Sequence, residues 1–81
     1  MLLDVPGRIS RLLLDLSAES GTATIDKPLT HQTIAQMIGA SRETVSRAMK
    51  EFQEEGLIRV ERRRIAVANR DALEKRAQIR M

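Results

Sequence analysis

Arg42, Glu43, Ser46, Arg47 and Lys50 are the residues whose types and spacing could do chemistry together. Glu43, Ser46, Arg47 and Lys50 recur at i, i+3, i+4 and i+7, which places them on one face of a helix. Val45, Ala48, Met49 and Phe52 repeat that spacing on the opposite side as an apolar stripe. Such a helix buries one face and presents guanidinium, carboxylate, hydroxyl and ammonium groups on the other. A guanidinium fork matches the paired acceptors O6 and N7 of guanine, and a carboxylate can accept from the amine of cytosine. The major groove of DNA admits one α-helix, and each base pair shows a distinct donor and acceptor pattern there. An ordinary solvated surface is the plainer reading. Glu43 and Arg47 would then be an i, i+4 pair worth roughly 0.2–0.5 kcal/mol.

The choice rests on the elements that hold this helix. Ser41 is placed to cap it, and Gly56 ends it, with Leu57 set for the apolar contact that follows such a stop. Before it, "LTHQTIAQMIG" predicts a helix of about two turns, with Thr30 as N-cap, Ile34, Ala35 and Ile38 facing inward, and Gly39 as a left-handed stop. Two short helices joined by a Gly-containing turn make a helix-turn-helix over about residues 31–55. Upstream, "DVPGRISRLLLDLSAES" opens with a cap (Asp4) and a proline in the first turn (Pro6). It carries one stripe: Ile9, Leu12, Leu13 and Leu16. Gly21 and Pro28 bracket a break in which Thr22 to Asp26 could form a short strand. "LIRVERRRIAVAN" predicts a β-hairpin wing over about 57–68. "NRDALEKRAQIRM" predicts a last helix, capped by Asn69, whose Ala72, Leu73 and Ala77 offer only weak packing. The fold class expected is mainly α with a small β-hairpin, a winged helix-turn-helix.

Composition bounds the function. Eighty-one residues make one domain, residues 1–81, with no room for a second core. With a single aromatic, Phe52, the chain lacks the stacking platforms of many RNA and single-strand readers. Cysteine is absent, which excludes disulfides, zinc fingers and thiol chemistry. No apolar run approaches the roughly 20 residues needed to span a bilayer, and no signal-peptide order is visible, so a cytoplasmic protein with no membrane partner is expected. Charge is uneven: three Lys/Arg against four Asp/Glu in residues 1–41, eleven against seven in residues 42–81. That asymmetry suits a polyanionic partner, double-stranded DNA above all, although a solvated basic surface would look the same.

The segment "LTHQTIAQMIGASRETVSRAMKEFQEEGLI" resembles the helix-turn-helix of the cyclic-AMP receptor protein and fumarate-nitrate regulator family of bacterial transcription regulators. "DVPGRISRLLLDL" is similar to the helix that opens that family's DNA-binding domain, so the resemblance covers about residues 4–68. It implies sequence-specific binding of double-stranded DNA for transcription control. Arg42 and Arg47 would address guanines of a TGTGA-like half-site, and Glu43 would accept from a cytosine. Thr30, His31 and Gln32 match phosphate-contacting positions, and Ser41, Ser46 and Lys50 sit where further backbone contacts are expected. "ETVSR" equally satisfies the pattern of the fumarate-nitrate branch, which leaves the half-site open. The resemblance further implies an intact homodimer on a palindrome, with RNA polymerase as a further partner.

The sequence departs from the family in two ways. The wing turn "VERRRI" lacks the glycine that many members carry. The sensor barrel and the long dimerisation helix are absent, so no cofactor is expected in this chain, and an effector such as a cyclic nucleotide would bind the missing sensor. The chain starts where the hinge after that dimerisation helix would lie, and it reads as a separated C-terminal domain, monomeric by itself.

The remaining candidates are few. Arg62, Arg63 and Arg64 form a charge run, from which Arg62 and Arg63 are expected to meet phosphates across the wing. His31 is a lone imidazole without a partner acid or second histidine, a poor catalyst or metal ligand. Met37 and Met49 are expected in the core. No phosphate loop, carboxylate pair or nucleophile arrangement occurs, so an enzyme is not expected. Two other readings stay open: a winged-helix protein-interaction module, and a sequence-independent nucleic-acid binder. Glu43 separates them, because a purely electrostatic face has no use for a carboxylate beside phosphates.

Overall fold

The computed structural model describes residues 4–25, 29–61 and 64–77. Helix α1 (Val5–Ser20) begins as the sequence requires: the Asp4 carboxylate accepts from the Gly7 amide at 2.8 Å, and Pro6 stands in the first turn. Its core stripe includes Ile9, Leu13 and Leu16 as expected. Leu12 is only partly buried, whereas Leu14, off the stripe, is buried. The buried arc is wide because α1 is packed by the last helix as well as by the helix-turn-helix and the sheet. Ser10 and Ser17, both buried, donate to the carbonyls of Pro6 and Leu14, so neither hydroxyl is left unsatisfied.

Strand β1 (Thr24–Ile25) falls within the segment expected to be extended. Helices α2 (His31–Ile38) and α3 (Arg42–Glu54) follow, then β2 (Ile58–Glu61), β3 (Arg64–Val67) and α4 (Arg70–Ala77). The sheet is antiparallel in the order β1-β3-β2. Sequence reading anticipated the hairpin, but not that β1 would pair with its second strand. Ile25 lies opposite Ile65, and Ile65 opposite Val60, so one row of apolar side chains crosses all three strands. Ile25 and Ile65 are buried, whereas Val60, on the edge strand, is 39% exposed. Ile58 and Val67, themselves paired, extend the same buried face.

The sheet face, α1 and α3 enclose one core that includes Ile9, Leu13, Ile34, Val45, Met49, Phe52 and Leu73. Each large apolar side chain buried this completely stabilises the fold by about 1.5–3 kcal/mol relative to exposure. Two expectations need correcting. Met37 is 53% exposed, not in the core. Ile34, Ala35 and Ile38 define the inward side of α2, and Met37 falls beyond its edge. The last helix is more than weakly packed: Leu73 is 0% exposed, Ala77 is buried, and α4 lies along α1. Three features hold it: the Asn69 side chain accepts from the Ala72 amide at 3.1 Å, Arg76 pairs with Glu55, and the Arg76 guanidinium stands 5.6 Å from the Phe52 ring centre. Two or three apolar residues suffice here because they complete a core that already exists.

Candidate nucleic-acid interface

The site is built on the turn between α2 and α3. Thr30 caps α2: its hydroxyl accepts from the Thr33 amide at 3.0 Å and lies 2.9 Å from the Thr33 hydroxyl. Gly39 ends α2 at φ 73°, a left-handed conformation in which a side chain would be strained, and Gly39 and Ala40 both donate to the Ala35 carbonyl. Ser41 then caps α3, accepting from the Thr44 amide at 3.1 Å. At the far end, Gly56 has φ 74°, Leu57 donates to the Phe52 carbonyl at 2.8 Å, and Leu57 is buried. Both ends of α3 are fixed by local chemistry, so its direction in the fold is defined.

Rotation about the axis of α3 is set by packing. Val45, Ala48, Met49 and Phe52 are buried, and this leaves Arg42, Glu43, Arg47 and Lys50 exposed on the outward side. Among the described residues none of these four side chains makes a hydrogen bond or ion pair. The Glu43–Arg47 pair that would make this an ordinary solvated helix is therefore not formed. Arg42, Glu43 and Arg47 stand free over the first two turns of a helix with capped ends, and Lys50 over the third. Such a face can meet a surface that offers both acceptors and donors.

The expected backbone-contacting residues divide into groups. Thr30 and Ser41 are exposed, and each uses its side-chain oxygen to cap a helix. Gln32 and Lys50 are exposed, on α2 and α3. Arg62 and Arg63 lie outside the described residues, between strands whose flanking Glu61 and Arg64 are exposed and paired in register. His31 and Ser46 are brought together: His31 Nδ1 lies 2.7 Å from Ser46 Oγ, across the two helices, and both residues are half-buried. Sequence reading placed His31 on the surface. The signal it missed is spacing, since His31 precedes Ile34 by three and Ala35 by four and so shares their inward side.

Arg8 was also missed. Exposed and off the core stripe of α1, it donates from Nη1 to the Ile38 carbonyl at 2.8 Å, at the turn itself. No cluster of three or more His, Asp or Glu suited to a metal ion occurs among the described residues. No helix among them is long and apolar enough to cross a membrane.

Comparison with known proteins agrees with this architecture. Residues 7–76 match the Crp-like helix-turn-helix domain. The chain is 39% identical over 80 residues to a CRP-like cAMP-activated global transcriptional regulator of Mycobacterium tuberculosis, covering 93% of this chain and 36% of the relative. It is 38% identical over 69 residues to the cAMP-activated global transcriptional regulator Vfr of Pseudomonas aeruginosa, covering 80% and 32%. The chain thus spans about a third of the length of the curated relatives it matches. Among solved structures, a putative transcriptional regulator of the crp/fnr family from Eubacterium rectale superposes with a TM-score of 0.82 at 31% identity, covering 91% of this chain and 33% of that one. The catabolite activator protein of Thermus thermophilus gives 0.76 at 30% identity, covering 89% and 33%. These relatives are transcription regulators, not enzymes. The winged helix-turn-helix, the capped α3 and the match over residues 7–76 agree: this chain belongs to the Crp-like helix-turn-helix family of bacterial transcription regulators.

Proposed function

We propose that the domain reads double-stranded DNA by laying α3 in the major groove, as the DNA-binding part of a transcription regulator. The observation that carries this reading is the outward face of α3, where Arg42, Glu43, Arg47 and Lys50 stand exposed without partners among the described residues. In a helix-turn-helix the N-terminal residues of the second helix meet base edges, and Arg42, Glu43 and Arg47 occupy its first two turns. Arg42 and Arg47 address guanines, and Glu43 accepts from a cytosine amine, as in a TGTGA-like half-site. Thr30, His31, Gln32, Ser41, Ser46, Lys50 and the wing arginines Arg62 and Arg63 set register on phosphates, which positions the helix without carrying sequence information. In an intact regulator two such domains would sit about one helical turn apart on a palindrome, roughly 34–36 Å between centres. The effector would bind outside this domain, and RNA polymerase would be a further partner.

The test is an NMR titration of the 81-residue chain with a TGTGA duplex and a scrambled duplex, at low and near-physiological salt. Amide shifts over residues 41–50 that are larger and more salt-resistant with TGTGA are the expected result. Equal shifts erased by salt would remove the TGTGA assignment. No shifts even at low salt would remove DNA as the partner and favour a protein-interaction module.

A further inference from the structure

Strand β2 is an edge of the sheet, with β3 on one side and no strand on the other among the described residues. The Val67 amide donates to the Ala23 carbonyl at 2.8 Å, so the main chain of Val67 turns away from β2. Hydrogen-bonded and non-bonded pairs alternate along an antiparallel ladder. Ile58 opposite Val67 and Val60 opposite Ile65 are therefore the non-bonded pairs, while Arg59 and Glu61 use their main chains on β3. The amides and carbonyls of Ile58 and Val60 are left pointing to the open edge. Arg59 and Glu61 flank Val60 there, exposed on the outer face of the sheet. Among the described residues neither of these two side chains has a hydrogen bond or ion pair.

We infer that this edge pairs with the same edge of a second copy of the chain, antiparallel and centred on Val60. The two Val60 residues then exchange amide-to-carbonyl hydrogen bonds, as their outward main chains allow. Arg59 of each copy stands opposite Glu61 of the other, which makes two cross-strand ion pairs. On the inner face Val60 meets Val60, so the apolar row of Ile25, Ile65 and Val60 continues into the second sheet. Other registers fail. A shift of one residue sets the outward main-chain groups against groups already used by β3. A shift of two sets Arg59 against Arg59, or Glu61 against Glu61, and like charges directly opposite are destabilising. Charges on an edge strand ordinarily keep it from pairing. Here their order, Arg-Val-Glu, opposes the wrong registers and admits one. So short an edge buries less than the roughly 1,200–2,000 Å² of a stable interface, so the pairing is weak and gains most where two domains are already held close together. It uses β2 and not α3, and it does not rest on the DNA reading.

The experiment is sedimentation equilibrium of the 81-residue chain over a concentration series, read beside its NMR amide shifts. The unaltered chain should self-associate reversibly, with concentration-dependent shifts centred on Ile58 and Val60. Arg59→Glu and Glu61→Arg, both at exposed positions, each turn two attractive pairs into two repulsive ones. Either should weaken association by about tenfold or more. Mixed in equal amounts, the two variants should restore it, because every pair between copies then joins opposite charges. A chain that stays monomeric throughout the series would overturn the pairing. So would single variants that associate as well as the unaltered chain, a mixture that associates no better than either variant alone, or shifts confined to residues outside β2.

Discussion

Arg8, near the start of α1, donates from Nη1 to the carbonyl of Ile38 at the end of α2, at 2.8 Å. The last carbonyls of a helix have no partner within it, and a cation there also meets the negative end of the helix dipole. Gly39 and Ala40 satisfy Ala35, while the Ile38 carbonyl is served by a residue thirty positions upstream. The first helix therefore does more than cover the core; it holds the C-terminus of α2 where the chain turns into α3.

Arg8→Ala should cost about 0.5–1.5 kcal/mol in urea unfolding, the net worth of one exposed hydrogen bond to a charged donor, since water can replace it. Faster amide exchange should appear at Gly39 and Ala40. An Arg8→Ala protein with unchanged exchange there would mean that the contact does not hold the turn.

Leu73→Ala should destabilise the chain by about 2–5 kcal/mol, because the side chain is fully buried and its removal leaves a cavity among α1 and its neighbours. That is a large fraction of the 5–15 kcal/mol typical of a domain. The Glu55–Arg76 pair next to it is partly exposed, 47% and 36%. Its coupling in a double-mutant cycle should therefore be only about 0.2–1 kcal/mol. Unfolding curves of the three single variants and the double variant give both values. A loss below 1 kcal/mol for Leu73→Ala would mean that α4 is an appendage.

Much of this was legible in the sequence because the signals are local. Asp4, Thr30, Ser41 and Asn69 each accept from an amide three residues on, as cap positions do, and the stops at Gly39 and Gly56 follow from their conformations. The apolar stripe of α3 by itself implies which face turns outward. What escaped was long-range. Nothing in "GTATID" says that Ile25 will pair with Ile65, nor in "EKRA" that Arg76 will reach Glu55 and stack over Phe52. Met37 was misplaced because an eight-residue helix offers too few turns to separate its inward side from its edge. His31 was read by residue type as a surface group, when its spacing from Ile34 and Ala35 already turned it toward α3, where it is half-buried.

The caps give a graded test of how α2 and α3 are held. Ser41→Ala should cost about 0.5–2 kcal/mol and Ser41→Gly only a few tenths, because glycine adopts the cap backbone and admits water to the free amides. Thr30→Ala should behave like Ser41→Ala. Thermal or urea unfolding checks the order. Equal losses for Ser41→Ala and Ser41→Gly would mean that the serine matters for something other than the Thr44 amide.

Arg47 and Lys50 share a face, but different roles are proposed for them, and the two variants separate reading from attraction. Arg47→Ala should lose about 1–3 kcal/mol on a TGTGA duplex and relax one base position, because a fork that engages two acceptors of guanine discriminates by that much. Lys50→Ala should weaken binding to TGTGA and scrambled duplexes alike and lower the salt slope by about 1, as expected for one phosphate contact. Titrations of both variants across a salt series against both duplexes decide it. If Arg47→Ala lost affinity equally on the two duplexes, it would be another phosphate contact and sequence reading would fall to Arg42 and Glu43. If Lys50→Ala lost affinity on TGTGA alone, the reading face would extend a turn further along α3.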